Sequence, residues 1–300
     1  MTNSHAIGIL GFGEAGRSWG GTLTGSDAVR LSAFDIQQST DRVAEFADAA
    51  RSCDAELVPD ASALAQSCTT IICAVTAANS LIAAQSLAAD LNPGQTFIDI
   101  NSVAPGKKAE TAKIVRASGA AYVDMAVMAP VHPRGHKTPV LVAGDLDDGM
   151  MAFLKTLGFD FDVIDGGPGA AAGIKMVRSL FVKGLEALTS LTLIAEQAAG
   201  CFERVHASLA ASFPGLNWPD GANYLLERSA THGIRRAEEM VESAKTLADL
   251  DLPEASALAR DIAQVHDRIG ALGLTLGGDV LADNVAMVLD GLRRRDDTGE

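Results

Sequence analysis

Ile7-Gly8-Ile9-Leu10-Gly11-Phe12-Gly13-Glu14-Ala15-Gly16 is an apolar run followed by Gly-x-Gly-x-x-Gly, and it decides the fold of the first half of the chain. Ala6–Leu10 reads as a strand and Glu14–Thr24 as the helix after it. In that context Gly11 permits the tight turn and Gly13 lets the backbone approach a pyrophosphate. Gly16 lets the helix pack close to the strand. The helix N-terminus adds a field that favours an anion. A second strand, Arg30–Phe34, ends at Asp35, 19 residues past Gly16. A carboxylate there is placed to accept hydrogen bonds from the adenosine ribose hydroxyls and to repel a 2′-phosphate. The expectation is a dinucleotide site built from Gly11, Phe12, Gly13, Glu14, Ala15, Gly16 and Asp35. It favours NAD, since neither Ile36 nor Gln37 is a cation; Arg17 and Arg42 keep NADP in view. FAD satisfies the same fingerprint, but the order of the later elements fits a nicotinamide cofactor better.

Working outward, short β-branched runs continue to alternate with Ala-rich stretches. Glu56–Val58, Thr69–Val75, Thr96–Ile100, Ala121–Asp124, Pro139–Ala143 and Asp162–Ile164 read as strands. Asp41–Ala50, Ala61–Gln66, Asn79–Ala89 and Lys107–Ser118 read as helices between them. Such alternation predicts parallel strands with right-handed crossovers, a doubly wound sheet of the Rossmann type. Asp165-Gly-Gly-Pro-Gly169 then breaks the pattern. Beyond it the strands stop, and Ala170–Ala199 opens a series of helical segments. The expected organisation is an α/β domain over 1–165 and an all-helical domain over 166–300, without internal repeats.

Composition narrows the class of partner. The 300 residues carry a net charge of −14, are 48% hydrophobic and 21% charged, as in a globular protein. An acidic surface disfavours nucleic acid and anionic membranes. A local basic pocket for a small anionic substrate remains compatible with it. No apolar run approaches the ~18 residues of a membrane span, and the first residues do not read as a signal peptide. The four cysteines, Cys53, Cys68, Cys73 and Cys201, lack CxxC spacing and read as reduced thiols of a cytoplasmic protein.

The chemistry is sought where the long helix begins, in Gly169-Ala-Ala-Ala-Gly173-Ile-Lys175-Met-Val-Arg178-Ser179. Lys175 and Arg178 share a face with Ser179 and Val182, whereas Lys183 lies to the side and reads as solvated. No acid occurs between Gly166 and Leu185. A lysine among apolar neighbours beside an arginine is expected to titrate lower, as a general acid/base requires. By residue pattern alone, a surface lysine is the commoner explanation of this position.

Together these motifs resemble the β-hydroxyacid dehydrogenase superfamily, which includes 3-hydroxyisobutyrate and 6-phosphogluconate dehydrogenases. The resemblance spans essentially the whole chain. It implies a Rossmann domain followed by an interlocking, 6-phosphogluconate dehydrogenase-like helical domain that dimerises. It implies that Lys175 exchanges a proton with the substrate hydroxyl. It places Asn101 and Ser102 of Asp99-Ile-Asn101-Ser102 near the nicotinamide ribose and substrate, and Ala74 and Val75 along the dinucleotide. Two positions depart from the family pattern. The stretch whose N–H groups hold the substrate carboxylate is here Asp124-Met-Ala-Val-Met128-Ala129-Pro130, and Pro130 has no N–H to donate. The family's Asn after the lysine is replaced by Arg178 and Ser179. The pattern matches a branch whose C-terminal domain is of unknown function, and it points away from the usual 3-hydroxy acid.

Replacement anchors are expected nearby. Met125–Gly144 lacks acids yet holds His132, Arg134, His136 and Lys137. Met128, His132, Arg134, Arg178 and Ser179 are the candidate substrate contacts, and the resemblance adds His232. Arg235 and Glu239, four apart, read as a pair on a surface helix; the resemblance implies that this region folds back toward the active site, with Arg236 the alternative to His232 as a substrate contact. The function expected is hydride transfer between NAD(P) and a small hydroxylated acid. Imine reduction and non-catalytic dinucleotide sensing are the alternatives, and no metal is expected.

Overall fold

The computed structural model describes residues 5–25, 29–277 and 280–298. In the first half, the β-branched runs form β1 (His5–Leu10), β2 (Val29–Phe34), β3 (Ala55–Leu57), β4 (Thr70–Cys73), β5 (Thr96–Asp99), β6 (Ala121–Val127), β7 (Val140–Gly144) and β8 (Phe161–Val163). They make one eight-stranded sheet in the order β3-β2-β1-β4-β5-β6-β7-β8. Strands β1 to β6 are parallel. β7 runs antiparallel to β6, and β8 follows β7 in parallel. The all-parallel sheet expected from the alternation is thus corrected at one edge. The β6–β7 connection holds only a single 3-10 turn, Gly135–Lys137, and no α-helix to carry a crossover. The chain therefore turns back beside the strand it has just left.

Six helices accompany the sheet: α1 (Glu14–Leu23), α2 (Val43–Ser52), α3 (Ala61–Ser67), α4 (Ser80–Ala88), α5 (Pro105–Arg116) and α6 (Asp148–Leu157). Alternate strand residues enter two separate cores, as burial on both faces requires. Ile9, Ile72, Ile98 and Val123 pack with Phe12 and Trp19 on one face. Leu10, Ile71, Phe97 and Tyr122 pack with Leu64 and Leu87 on the other. All four residues of β4 are buried, which places it at the centre of the sheet. Cys53, Cys68 and Cys73 are buried and Cys201 half-buried, all as free thiols.

Beyond residue 169 the chain is helical: α7 (Ala170–Ala198), α8 (Phe202–Ser212), α9 (Asp220–Asp249), α10 (Pro253–Gly270) and α11 (Leu281–Thr298). Compact units comprise Met1–Lys175 and Met176–Glu300, so the division falls inside α7. Within the second unit, α9 and α10 meet backbone to backbone. A Cβ on Gly233 would lie 2.6 Å from Gly270 Cα, so neither position accepts a side chain. Lys183 corrects the expectation of a solvated side chain. It is 5% exposed and its Nζ lies 2.9 Å from Glu239 Oε2. The helix turns that residue inward against α9, where a carboxylate on an otherwise inward face meets it. Arg236, 8% exposed, pairs in the same way with Glu186 at 2.8 Å. No helix among the described residues is long and apolar enough to cross a membrane.

Candidate active site

The loops that leave β1, β2, β4 and β5 are joined to one another at the C-terminal edge of the sheet. Gly11 N–H donates to Phe34 O at 2.8 Å, and Ala74 N–H to Leu10 O at 2.8 Å. Val75 N–H donates to Asn101 Oδ1 at 2.7 Å. Strand order reverses between β1 and β4, so the crevice of a doubly wound sheet opens here. The turn leaves no room for a Cβ at two of its glycines. Gly11 has φ +94°, and a Cβ on Gly16 would lie 2.2 Å from Gly11 O. Gly13 differs, since a Cβ there would meet nothing within 4 Å. Packing does not require glycine at position 13; open access to the N-terminus of α1 does. No side chain caps that helix end, so its first N–H groups remain for an anion. These features fit a bound dinucleotide pyrophosphate.

Asp35 takes part in the turn itself. Its Oδ2 accepts from Phe12 N–H at 2.8 Å and its Oδ1 from Gln37 N–H at 2.9 Å. Each oxygen keeps a further lone pair, which suits ribose hydroxyl donors. Phe12 is fully buried and offers only its backbone to this site. Arg17 and Arg42, the two cations that kept NADP in view, both bond to Glu45. Those bonds hold the Glu45 carboxyl down to about 2, and both guanidiniums stack on Phe46, at 4.7 and 5.3 Å.

Lys175 stands at the end of the first unit, half-buried, and donates from Nζ to Ser102 Oγ at 2.6 Å. Behind this pair is a buried ionic cluster. Lys108, fully buried, donates to the Asp99 carbonyl at 2.7 Å and pairs with Asp99 Oδ1 at 2.9 Å and Asp124 Oδ1 at 3.3 Å. Burial pushes its pKa down most, yet the Asp99 and Asp124 charges outweigh it and hold the ammonium protonated. Asp99 Oδ1 also accepts from Asn101 N–H at 2.9 Å and Nδ2 at 2.7 Å, and Tyr122 donates to its Oδ2 at 2.7 Å. Asp124 Oδ2 accepts from the N–H groups of Gly169 and Ala172, both at 3.0 Å. Burial pushes the Cys73 thiol beside Asn101 up to about 12, so it is no nucleophile.

Two family models match the chain. One, described as the NAD binding domain of 6-phosphogluconate dehydrogenase, covers residues 6–147. The other, a domain of unknown function, covers residues 197–269. A crystal structure of a conserved hypothetical protein from Sinorhizobium meliloti 1021 is similar over 98% of this chain and 97% of its own, at 33% identity and TM-score 0.73. The chain belongs to the β-hydroxyacid dehydrogenase superfamily. The conserved protein MTH1747, of unknown function and structurally similar to 3-hydroxyacid dehydrogenases, is 25% identical with TM-score 0.66, over 90% of this chain and 99% of its own. Mycobacterium tuberculosis 3-hydroxyisobutyrate dehydrogenase, solved with L-serine, shares the fold at TM-score 0.71 and 13% identity, over 95% of this chain and 99% of its own. A search of the curated proteins finds no match. The N-terminal domain of this superfamily member is an NAD(P)-binding Rossmann domain.

Within the first unit of this dehydrogenase-superfamily chain, the structure brings together Gly11–Gly16, Asp35, Ala74, Val75, Asn101, Ser102 and Lys175. Met128 directly follows β6 with its N–H taken by Pro139 O at 2.9 Å, which leaves it no backbone donor for a substrate anion. His132 and Arg134 are exposed, on a loop laid against α1. His136 of that loop is buried, bonded to Thr22 Oγ1 at 2.8 Å and the Leu157 carbonyl at 2.9 Å, and serves to fix the loop. The other three candidates belong to the second unit. Arg178 is exposed, Ser179 is buried with its hydroxyl accepting from Lys183 at 3.0 Å, and His232 is half-buried on α9. Arg236, with Glu186 as its partner, and Glu239, with Lys183, are both bound within that unit.

Sequence reasoning missed Asp99, Lys108 and Asp124 as a group. Their signal is faint but physical. Lys108 falls on the same inward stripe of α5 as Thr111, Ala112 and Val115. Asp99 and Asp124 each interrupt a run of fully buried strand residues. Opposite charges inside apolar patterns indicate a buried pair, although sequence alone does not say which charges meet.

Proposed function

We propose that this protein is an NAD-dependent oxidoreductase of a small hydroxylated acid, with Lys175 as the group that moves the substrate hydroxyl proton. The observation that carries this reading is the 2.6 Å bond from Lys175 Nζ to Ser102 Oγ, one residue from the Asn101 that holds Val75 on the dinucleotide side. One ammonium proton is directed at Ser102, whose hydroxyl sits beside Asn101 on the cofactor side of the sheet. In the oxidative direction, neutral Lys175 takes the O–H proton as the C–O bond becomes a carbonyl; in reduction the ammonium returns it. A nicotinamide dinucleotide held at its pyrophosphate by the Gly11–Gly16 turn would supply the matching hydride acceptor or donor. Asp35 supports NAD over NADP, as does the neutralisation of Arg17 and Arg42 by Glu45. Roles then divide as a cofactor domain over 1–165 and a substrate and dimerisation domain over 166–300.

The substrate anion is held differently from the family's usual mode, because Met128 N–H is occupied and Pro130 has none. His132 and Arg134, both exposed, are the proposed anion contacts. Replacing His132 or Arg134 with Ala is expected to raise KM with kcat little changed; unaltered kinetics in both variants contradicts that assignment. Imine reduction, the alternative chemistry, is disfavoured by the retained Lys175, and a passive sensor has no need of it. A cytoplasmic homodimer completes the reading. The test is a panel of hydroxy acids and sugar acids assayed for NAD reduction with NADP alongside. Turnover with at least one acid, faster with NAD, is expected; binding of NAD with no turnover on any acid favours the sensor.

A further inference from the structure

We propose that the buried Asp99–Lys108–Asp124 cluster is a positioning device that sets where Lys175 stands against Ser102 and Asn101. It rests on the reading of Lys175 as the proton-transfer group. Helix α7 begins in Gly169-Ala-Ala-Ala-Gly173, after Pro168, with none of the Ser, Thr, Asp or Asn residues that normally satisfy the first N–H groups. Asp124 does this from the end of β6, accepting from both Gly169 and Ala172 at 3.0 Å. The two N–H groups lie three residues apart, the geometry of a capping box supplied by a remote carboxylate. Lys175 follows Ala172 by one helical turn, so the position of its Cα is set by that cap.

The approach of the helix start to its neighbour is equally constrained. Gly169 has φ +102°, and a Cβ there would lie 2.8 Å from Pro105 O, at the first turn of the helix that carries Lys108. The Lys108 ammonium then ties the cap to the opposite side of the site. It bonds Asp124 and also the Asp99 carbonyl and carboxylate. Asp99 orients Asn101, and Asn101 holds Val75. One charge thus joins three segments: the loop after β4, the loop after β5 and the start of α7. Burying two carboxylates and one ammonium is costly compared with apolar packing. Shape alone does not call for them, whereas a fixed register between Lys175, Ser102 and Val75 does.

The test uses the full chain with Asp124→Ala, Asp124→Asn and Lys175→Ala. Three quantities are read: hydrogen exchange of the Gly169–Lys175 amides, NADH affinity by fluorescence, and kcat and KM for an acid found active in the panel. In Asp124→Ala, the Gly169 and Ala172 amides are expected to exchange about 10-fold faster, the loss of one cap. Its kcat is expected to fall about 100-fold, with KM and NADH affinity within about 3-fold of wild type. Asp124→Asn keeps a carbonyl for the cap and loses the charge facing Lys108. It is expected to restore most of the exchange protection and part of kcat, and it carries the test if Asp124→Ala does not fold. Unchanged exchange and kcat overturn the proposal. So does a fall in kcat matched by equal losses of NADH affinity and of protection throughout the chain, since that is general destabilisation. If Lys175→Ala keeps full activity, the proton-transfer reading fails, while the exchange result still decides whether Asp124 fixes the helix.

Discussion

At the scale of single residues, the cofactor turn makes sharp demands. Gly16→Ala places a Cβ 2.2 Å from Gly11 O, a backbone clash that flexible side chains cannot relieve. Thermal denaturation is expected to show a loss of about 1–3 kcal/mol, and NADH titration a marked loss of affinity. Asp35→Asn tests cofactor choice. It removes the charge that repels a 2′-phosphate while keeping one oxygen for Phe12 or Gln37. The NAD over NADP preference in Kd is expected to fall roughly 10-fold, as one charge repulsion is removed; an unchanged ratio places discrimination elsewhere. These residues were legible because the glycine fingerprint and the acid after the second strand have fixed spacing. Lys108 was not, because a lysine reads as solvated until the strand ends that surround it are known.

At the scale of elements, a strand's existence is legible from its apolar run, but its direction is not. Ala121–Val127 and Val140–Gly144 look alike in sequence, and only the lack of a helix between them accounts for the reversal at β7. The start of α7 was legible from the Gly-Pro-Gly breaker, whereas its cap lies 45 residues away in sequence. Helices α9 and α10 carry a testable consequence. Burial, partly opposed by the bond from His266 Nε2 to the Lys183 carbonyl at 3.0 Å, brings the His266 pKa down to about 4. Unfolded, the same imidazole titrates near 6.5. Between those values the unfolded chain binds the extra proton, so the contribution is complete above about pH 6.5 and is lost as pH falls towards 4. The sum is on the order of 3 kcal/mol. Urea unfolding at pH 7 and pH 4.5 is expected to show a smaller difference in His266→Gln than in wild type. Equal differences contradict this account.

At the scale of the whole molecule, the acidic composition disfavours a polyanion partner, and a small-molecule substrate and cofactor fit the family. Less legible was which helical face stays outside. On α7, Val177, Phe181, Leu188 and Leu191 are between 46% and 74% exposed. Their spacing of three, four or seven residues makes one continuous apolar seam. Such a seam supports the proposed homodimer, and Phe181→Glu with Leu188→Glu is expected to shift sedimentation from dimer to monomer. A wild-type monomer removes that part of the reading. The central claim is that a cofactor fold has become an enzyme through Lys175. It is tested most directly by comparing wild type and Lys175→Ala for NADH binding and for turnover on the same acid. The account predicts a Kd within about 3-fold and a kcat lower by about 100-fold or more. Undiminished turnover in Lys175→Ala would contradict it.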